Sequence, residues 1–180
     1  VGEDKYSTII NGTGSGDALR VVADSVDVSG FTVTGSGTYR DDSGIELYMV
    51  QNCHVHDNVL RDNYNGIYLS SWRTSFNTVQ GNELSANVRG IRLSNCGQNT
   101  ILDNSASNNT HGIYLSSSGG NTISGNTVAY NDQHGIHAYF SSNGNLIANN
   151  TAAHNGGAGI DVNVTSDGNT IADNIVHHNR

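Results

Sequence analysis

The chain has 180 residues, with 8 Lys and Arg against 16 Asp and Glu for a formal charge of −8, 22 Gly, 2 Cys and no Pro. This length suits one domain; the basic residues, only one of them Lys, form no positive stripe for a nucleic-acid backbone, and no apolar run approaches the ~18 residues of a membrane span. Leu, Ile, Val and Phe total 40 residues, near the ~20% below which chains stay disordered, but the 25 Asn recur too regularly for a low-complexity segment.

From the N-terminus, Thr8-Ile9-Ile10-Asn11-Gly12 reads as the end of a repeat unit whose start is missing. Ala18-Leu19-Arg20-Val21 and Val28-Ser29-Gly30-Phe31 then stand for the two strands of an aberrant first rung, with Phe31 at the head of what becomes an Asn column. A loop follows from Gly35 to Asp42. From Gly44 the pattern is regular: Gly and an aliphatic residue recur at Gly44-Ile45, Gly66-Ile67, Gly90-Ile91, Gly112-Ile113, Gly135-Ile136 and Gly159-Ile160, at intervals of 22 to 24. We therefore expect one domain over 1–180, with aberrant rungs over 1–43 and six regular rungs over 44–180.

Each rung alternates apolar and polar after its Gly, as in Ile91-Arg92-Leu93, which is the period of a strand. A second short strand carries Val79, Ile101, Ile123, Ile147 and Ile171 inward. Leu84, Ala106, Val128, Ala152 and Val176 follow beyond an Asn. One Asn column comprises Asn58, Asn82, Asn104, Asn126, Asn150 and Asn174; a second comprises Asn63, Asn87, Asn109, Asn131, Asn155 and Asn179; a third runs through Asn77, Asn99, Asn121, Asn145 and Asn169, headed by Cys53. Units this small bury their apolar face only by stacking, and Asn at a corner passes amide hydrogen bonds between rungs while tolerating left-handed backbone, as Gly does. The expected fold is all-β, a right-handed parallel β-helix of about seven rungs. Leucine-rich repeats share the period but need about five leucines per unit, and this chain has 9 in all.

The strings NGIYLSSWRTSFNTVQGNEL, HGIYLSSSGGNTISGNTV and GNTIADNIV resemble the NosD-like group of parallel β-helix repeats, also described as repeats of carbohydrate-binding proteins and sugar hydrolases. The resemblance covers nearly the whole chain. It implies a secreted or surface-exposed protein, as in archaeal and bacterial cell-surface proteins, and leaves enzymes, adhesins and assembly proteins open. A member of the group takes part in copper-site maturation, but no Cys or Met copper motif is present here.

On the outward face of the first strands the repeat aligns Glu46, Tyr68, Arg92, Tyr114, His137 and Asp161, flanked by Tyr48 and Tyr139. On an open, solvent-facing sheet, Tyr packs on sugar rings while Arg and Asp take hydroxyls or a uronate; the plainer reading is a solvated face where Tyr follows β-propensity. Trp72, in a turn that is Ser- and Gly-rich in other rungs, marks a partner contact or a cap over the Cys96 column. Arg40-Asp41-Asp42 with His111-Gly112 and His134-Gly135 echo the polygalacturonase family, but counting rungs puts the aspartates ~14 Å from His111, beyond the ~6.5 to 9.5 Å of an inverting acid and base.

No metal site or cofactor is expected. His111 and His134 share a column, as do His154 and His178, but a zinc site wants a third ligand, and Asp132 near His134 is the one sequence neighbour on offer. His54 and His56 flank inward Val55 and read as surface. Cys53 and Cys96 lie two rungs apart, ~10 Å on the axis, and are expected as free buried thiols. N-glycosylation sequons stand at Asn11, Asn108, Asn149 and Asn163. With no recognisable cap at either end, the main expectation is an extracellular, cell-surface structural module that self-associates end to end or laterally into a homo-oligomer or polymer, or a piece of a longer solenoid. The alternative is a polysaccharide-active enzyme (lyase, hydrolase or epimerase) or its carbohydrate-binding domain.

Overall fold

The computed structural model describes residues 1–180. Its 22 short strands form three parallel sheets that wind as a β-helix of about seven turns, with no helix able to cross a membrane. The first, here the long sheet, stacks Leu19–Val21, Ser43–Tyr48, Asn65–Ser70, Arg89–Ser94, His111–Ser116, Ile136–Tyr139 and Ile160–Val162. A second sheet runs from Asp27–Ser29 through His54–His56 and Thr78–Gln80 to Thr170–Ala172. The third has eight strands, from Ile9–Asn11 to Ile175–His177.

Registration follows the repeat column by column, so Ile91 pairs with Ile67 and Ile113, and Ile101 with Val79 and Ile123. These inward residues are fully buried in one continuous core, which narrows to Ala106 and Ala152 on the third sheet. The irregular first turn obeys the same template: Leu19 pairs with Ile45, and the Phe31 amide donates to Asn58 Oδ1.

The Asn columns are buried hydrogen-bond ladders. Asn104 is typical: Nδ2 donates to Val79 O (2.9 Å), Leu102 O (3.0 Å) and Asn126 Oδ1 (3.0 Å), and Oδ1 accepts from the amide and side chain of Asn82 (both 3.0 Å). One side chain thereby ties carbonyls of two successive turns to the ladder. The left-handed backbone falls one residue earlier than expected. Asp57 (φ 52°), Ala86 (φ 55°) and Tyr130 (φ 56°) take it, each immediately before a ladder Asn, and no ladder Asn does. The Gly of each Gly-Ile pair is likewise not left-handed. A Cβ on Gly90 would sit 2.6 Å from Gly112 O and one on Gly112 2.5 Å from Gly135 O, so the column exists because backbones of successive turns approach closely there.

Cys53 and Cys96 are free and buried in different columns. Trp72 is 76% exposed and caps nothing.

Candidate functional site

The long sheet carries the chemistry because its strands are the widest and present three outward columns. Pairing places Arg20, Glu46, Tyr68, Arg92, Tyr114, His137 and Asp161 in the middle column, as the sequence alignment of rungs requires. The column is not an open solvent-facing stripe. Glu46, Tyr68, Arg92 and Tyr114 are all less than one-tenth exposed. The reason is the 35–42 loop, which folds back along the sheet: Asn65 Nδ2 donates to Arg40 O and Asp42 O (both 2.9 Å), and Arg92 Nη1 donates to Arg40 O (2.7 Å) and Asp41 Oδ1 (2.8 Å). The loop thus brings Asp41 onto the long sheet, against the Arg92 guanidinium where it lies over Tyr68.

Within this half most side chains satisfy one another, with Arg92 Nε and Asn65 Oδ1 the buried atoms that lack a partner. Arg92 lies over the Tyr68 ring at 4.3 Å, Arg20 over Tyr48 at 4.3 Å, and Glu46 accepts from Arg20 Nε and Ser70 Oγ at 2.6 Å each. Burial raises the Glu46 and Tyr68 pKa values despite these partners.

The other half differs. Arg89 sits over Tyr114 at 4.7 Å and Tyr64 at 5.6 Å, His111 lies 5.4 Å from Tyr114, and His137 meets Tyr114 edge-on at 5.2 Å and Tyr139 at 5.5 Å. Polar atoms here are buried without partners: Nε and Nη1 of Arg89, Nδ1 of His111, both ring nitrogens of His137 and Oδ1 of Asn163. His137 Nε2 is 3.3 Å from Asp161 Oδ2, close enough for attraction but not aligned as a hydrogen bond. Buried donors and acceptors left unpaired cost roughly 1 to 3 kcal/mol each, so this cluster is where the sheet is least satisfied by its own side chains.

Burial first, then the neighbouring His137, Arg89 and His134, hold the His111 pKa down at about 4. Burial likewise lowers that of His137, against the pull of Asp161. Both rings are neutral bases near pH 7. Arg89 is also pushed down by burial and by Arg92 but remains cationic. A cavity of about 360 Å³, lined by Ser36, Thr38, Asp62, Tyr64 and Val88 among others, opens beside the Arg89 stack.

The sequence stripe supplied Tyr114, His137, Tyr139 and Asp161 to this cluster but missed Arg89 and the part played by His111. Both occupy the position just before the Gly of Gly-Ile, where Asn65, Arg89 and His111 are paired in register. Treating that position as a third outward column would have found them. Asn11, Asn108 and Asn149 are exposed, whereas Asn163 is half-buried and donates to Asp161 Oδ2 at 2.7 Å, so this sequon belongs to the cluster.

Three groups place at least three metal-ligating side chains together: His134, His137 and Asp161; Asp27, His54 and His56; and His154, His177 and His178. The structure therefore assembles ligand sets where the sequence offered only Asp132 as a third ligand. In the first set the His134 Nδ1 accepts the Ala158 amide at 3.1 Å. Its proton is then on Nε2, the nitrogen that faces Asp161 at 3.8 Å, which makes the ring a donor to the carboxylate and unfit to ligate there.

The family model described as "Periplasmic copper-binding protein (NosD)" matches residues 6–180. The chain belongs to the NosD family. No curated protein matches it. Among solved structures it is similar to the periplasmic alginate epimerase AlgG, with TM-score 0.79 and 16% identity over 93% of this chain and 43% of that one. The A-module of the mannuronan C-5 epimerase AlgE6 from Azotobacter vinelandii is similar with TM-score 0.72 and 17% identity over 99% of this chain and 60% of that one. The chain spans about half the length of these relatives, and at such identity the likeness establishes the parallel β-helix.

The copper of the family description meets two kinds of donor here. The thiols are apart, Cys53 bonded to Ala23 O and Cys96 to Leu69 O, and Met49 is the single thioether, so no soft Cu⁺ set assembles. The imidazole and carboxylate groups of Asp27, His54 and His56 do fit Cu²⁺.

Proposed function

We propose that this NosD-family chain binds a uronate-bearing polysaccharide along the long sheet and abstracts the proton α to a uronate carboxylate. The observation that carries the reading is the convergence of unpartnered Arg89, His111 and His137 atoms around Tyr114. That reaction needs a cation at the carboxylate, a neutral base and a proton donor. Arg89 supplies the cation. His111 or His137 takes the proton from carbon, the C–H electrons pass into the carboxylate as an enediolate, and Asp161 attracts His137.

From that intermediate, return of a proton to the opposite face gives the epimer. Expulsion of the 4-linked oxygen, protonated by Tyr114, gives chain cleavage. The likeness to alginate epimerases supports the substrate class, and the net charge of −8 means that a polyanion is held by local cations alone. A periplasmic or extracellular setting accords with the reading; display on the cell surface is its finer form.

Incubation with polymannuronate, polyguluronate and polygalacturonate tests it. Proton NMR reads epimerisation and the unsaturated product's absorbance reads cleavage. Turnover lost in Arg89→Ala and His111→Ala supports the reading. Neither turnover nor retention of any uronate polymer refutes it.

A second reading is self-association into filaments or layers; the apolar Ile171, Ile175 and Val176 of the last described turn are covered either by a further turn of the same solenoid or by a stacked neighbour. Light scattering over a concentration series tests it, and a constant monomer mass would exclude it.

A further inference from the structure

The second sheet carries a histidine arrangement opposite in kind to that of His134. His54 and His56 project outward from one strand, and Asp27 is the registered partner of His54 on the strand before. His56 Nδ1 lies 2.8 Å from Asp57 Oδ2, and because a carboxylate only accepts, a ring proton is held on Nδ1. Nε2 faces the second carboxylate, 3.1 and 3.2 Å from the Asp27 oxygens, so the metal-free ring donates from both nitrogens, and a cation held between Asp27 and Nε2 takes the place of the Nε2 proton. His54 stacks on His56 at 4.1 Å between centroids, with Nδ1 3.8 Å from Asp27 Oδ2, and its side chain makes no hydrogen bond, so its tautomer is free to suit a ligand.

We propose that Asp27, His54 and His56 bind a borderline divalent cation (Cu²⁺, Zn²⁺ or Ni²⁺), with Asp57 positioning His56. Metal–ligand bonds of about 2.0 to 2.1 Å put tetrahedral ligands roughly 3.3 Å apart, and the 3.1 and 3.8 Å separations bracket that value. The Asp57–His56 contact is the carboxylate–imidazole support that fixes a metal-binding tautomer and raises its basicity. A concavity of about 450 Å³ lined by Asn52, Cys53, His54, Phe76, Thr78 and Gln80 adjoins His54.

The two other histidine groups are weaker claimants. His134 is committed by the Ala158 amide, and in the exposed group His177 Nδ1 and His178 Nδ1 are 2.7 Å apart, so one donates to the other and neither of these two nitrogens has a free lone pair. The proposed site is on a different sheet from the polysaccharide face and stands independently of that reading.

The test is calorimetric titration of the untagged chain with ZnCl₂ in a non-chelating buffer, together with the EPR spectrum of the protein after one equivalent of Cu²⁺. The expected result is one saturable site whose Cu²⁺ signal shows nitrogen coupling. His56→Ala and the isosteric Asp27→Asn should each weaken binding at least tenfold, and Asp57→Asn about tenfold. His154→Ala combined with His178→Ala should leave it unchanged. No saturable binding overturns the proposal. So does binding that survives both His56→Ala and Asp27→Asn, or that is lost with His154 and His178 instead.

Discussion

His134 Nδ1 accepts the backbone amide of Ala158, one turn further along the helix, at 3.1 Å. That single bond puts the ring proton on Nε2, facing Asp161, and leaves the ring no lone pair to ligate a metal there. The opposite bond at His56, donating from Nδ1 to Asp57, leaves Nε2, which faces Asp27, as the nitrogen that can exchange its proton for a cation. Two histidine–aspartate groups of similar composition thus have different chemistry, decided by what sits on the far side of one ring.

The ladders carry much of the stability. Asn104→Ala removes five hydrogen bonds and leaves the buried Asn82 amide without its acceptor. Urea denaturation should show a loss of about 3 kcal/mol. Asn179→Ala, at the half-exposed outer turn, should cost only about 1 kcal/mol.

Left-handed backbone before the ladders gives a stabilising substitution. Ala86 is exposed at φ 55°, so Ala86→Gly should raise stability by about 0.5 to 1 kcal/mol in the same assay. Gly125→Ala should do the reverse, because its Cβ would meet Asp103 Oδ1 while the backbone stays left-handed.

Much of this was legible in the sequence because a solenoid repeats one set of instructions. The 22- to 24-residue interval gave the turn, the alternation at Ile91-Arg92-Leu93 gave the face, and the pairing of Arg92 with Tyr68 and Tyr114 followed. The failures came where non-repeating chain acts on the repeat. The 35–42 loop occurs once, and it buries Arg92. The ladder Asn was credited with the turn's backbone conformation, whereas its work is hydrogen bonding across the turn and the neighbour at Asp57 or Ala86 takes the unusual φ. Tautomers depend on contacts from other turns, such as Ala158 on His134, and no spacing within a rung encodes them.

The His111 pKa predicts a pH dependence. It is held at about 4 by burial and by facing His137, Arg89 and His134, with Tyr114 packed beside it, against ~6.5 in an unfolded chain. The unfolded chain therefore binds the extra proton first as pH falls. Stability from this group is complete above pH ~6.5, declines through the window down to about 4, and levels off below it. Thermal melts of the native chain and His111→Gln should diverge across that window, with the variant the flatter of the two.

The thiols should be inert. Burial pushes the Cys96 pKa up to about 12 and raises that of Cys53. A thiol reagent at pH 8 should label neither in the folded protein and both after denaturation.

The central claim is that Arg89 and its neighbours form a carboxylate-reading surface. The most direct measurement is calorimetric titration with a defined oligouronate and with a neutral oligosaccharide of the same length, for the native chain and for Arg89→Ala. Saturable uronate binding that falls at least tenfold in the variant, with no binding of the neutral sugar, is the predicted result. Equal affinity for both sugars, or uronate binding untouched by the loss of Arg89, would contradict it.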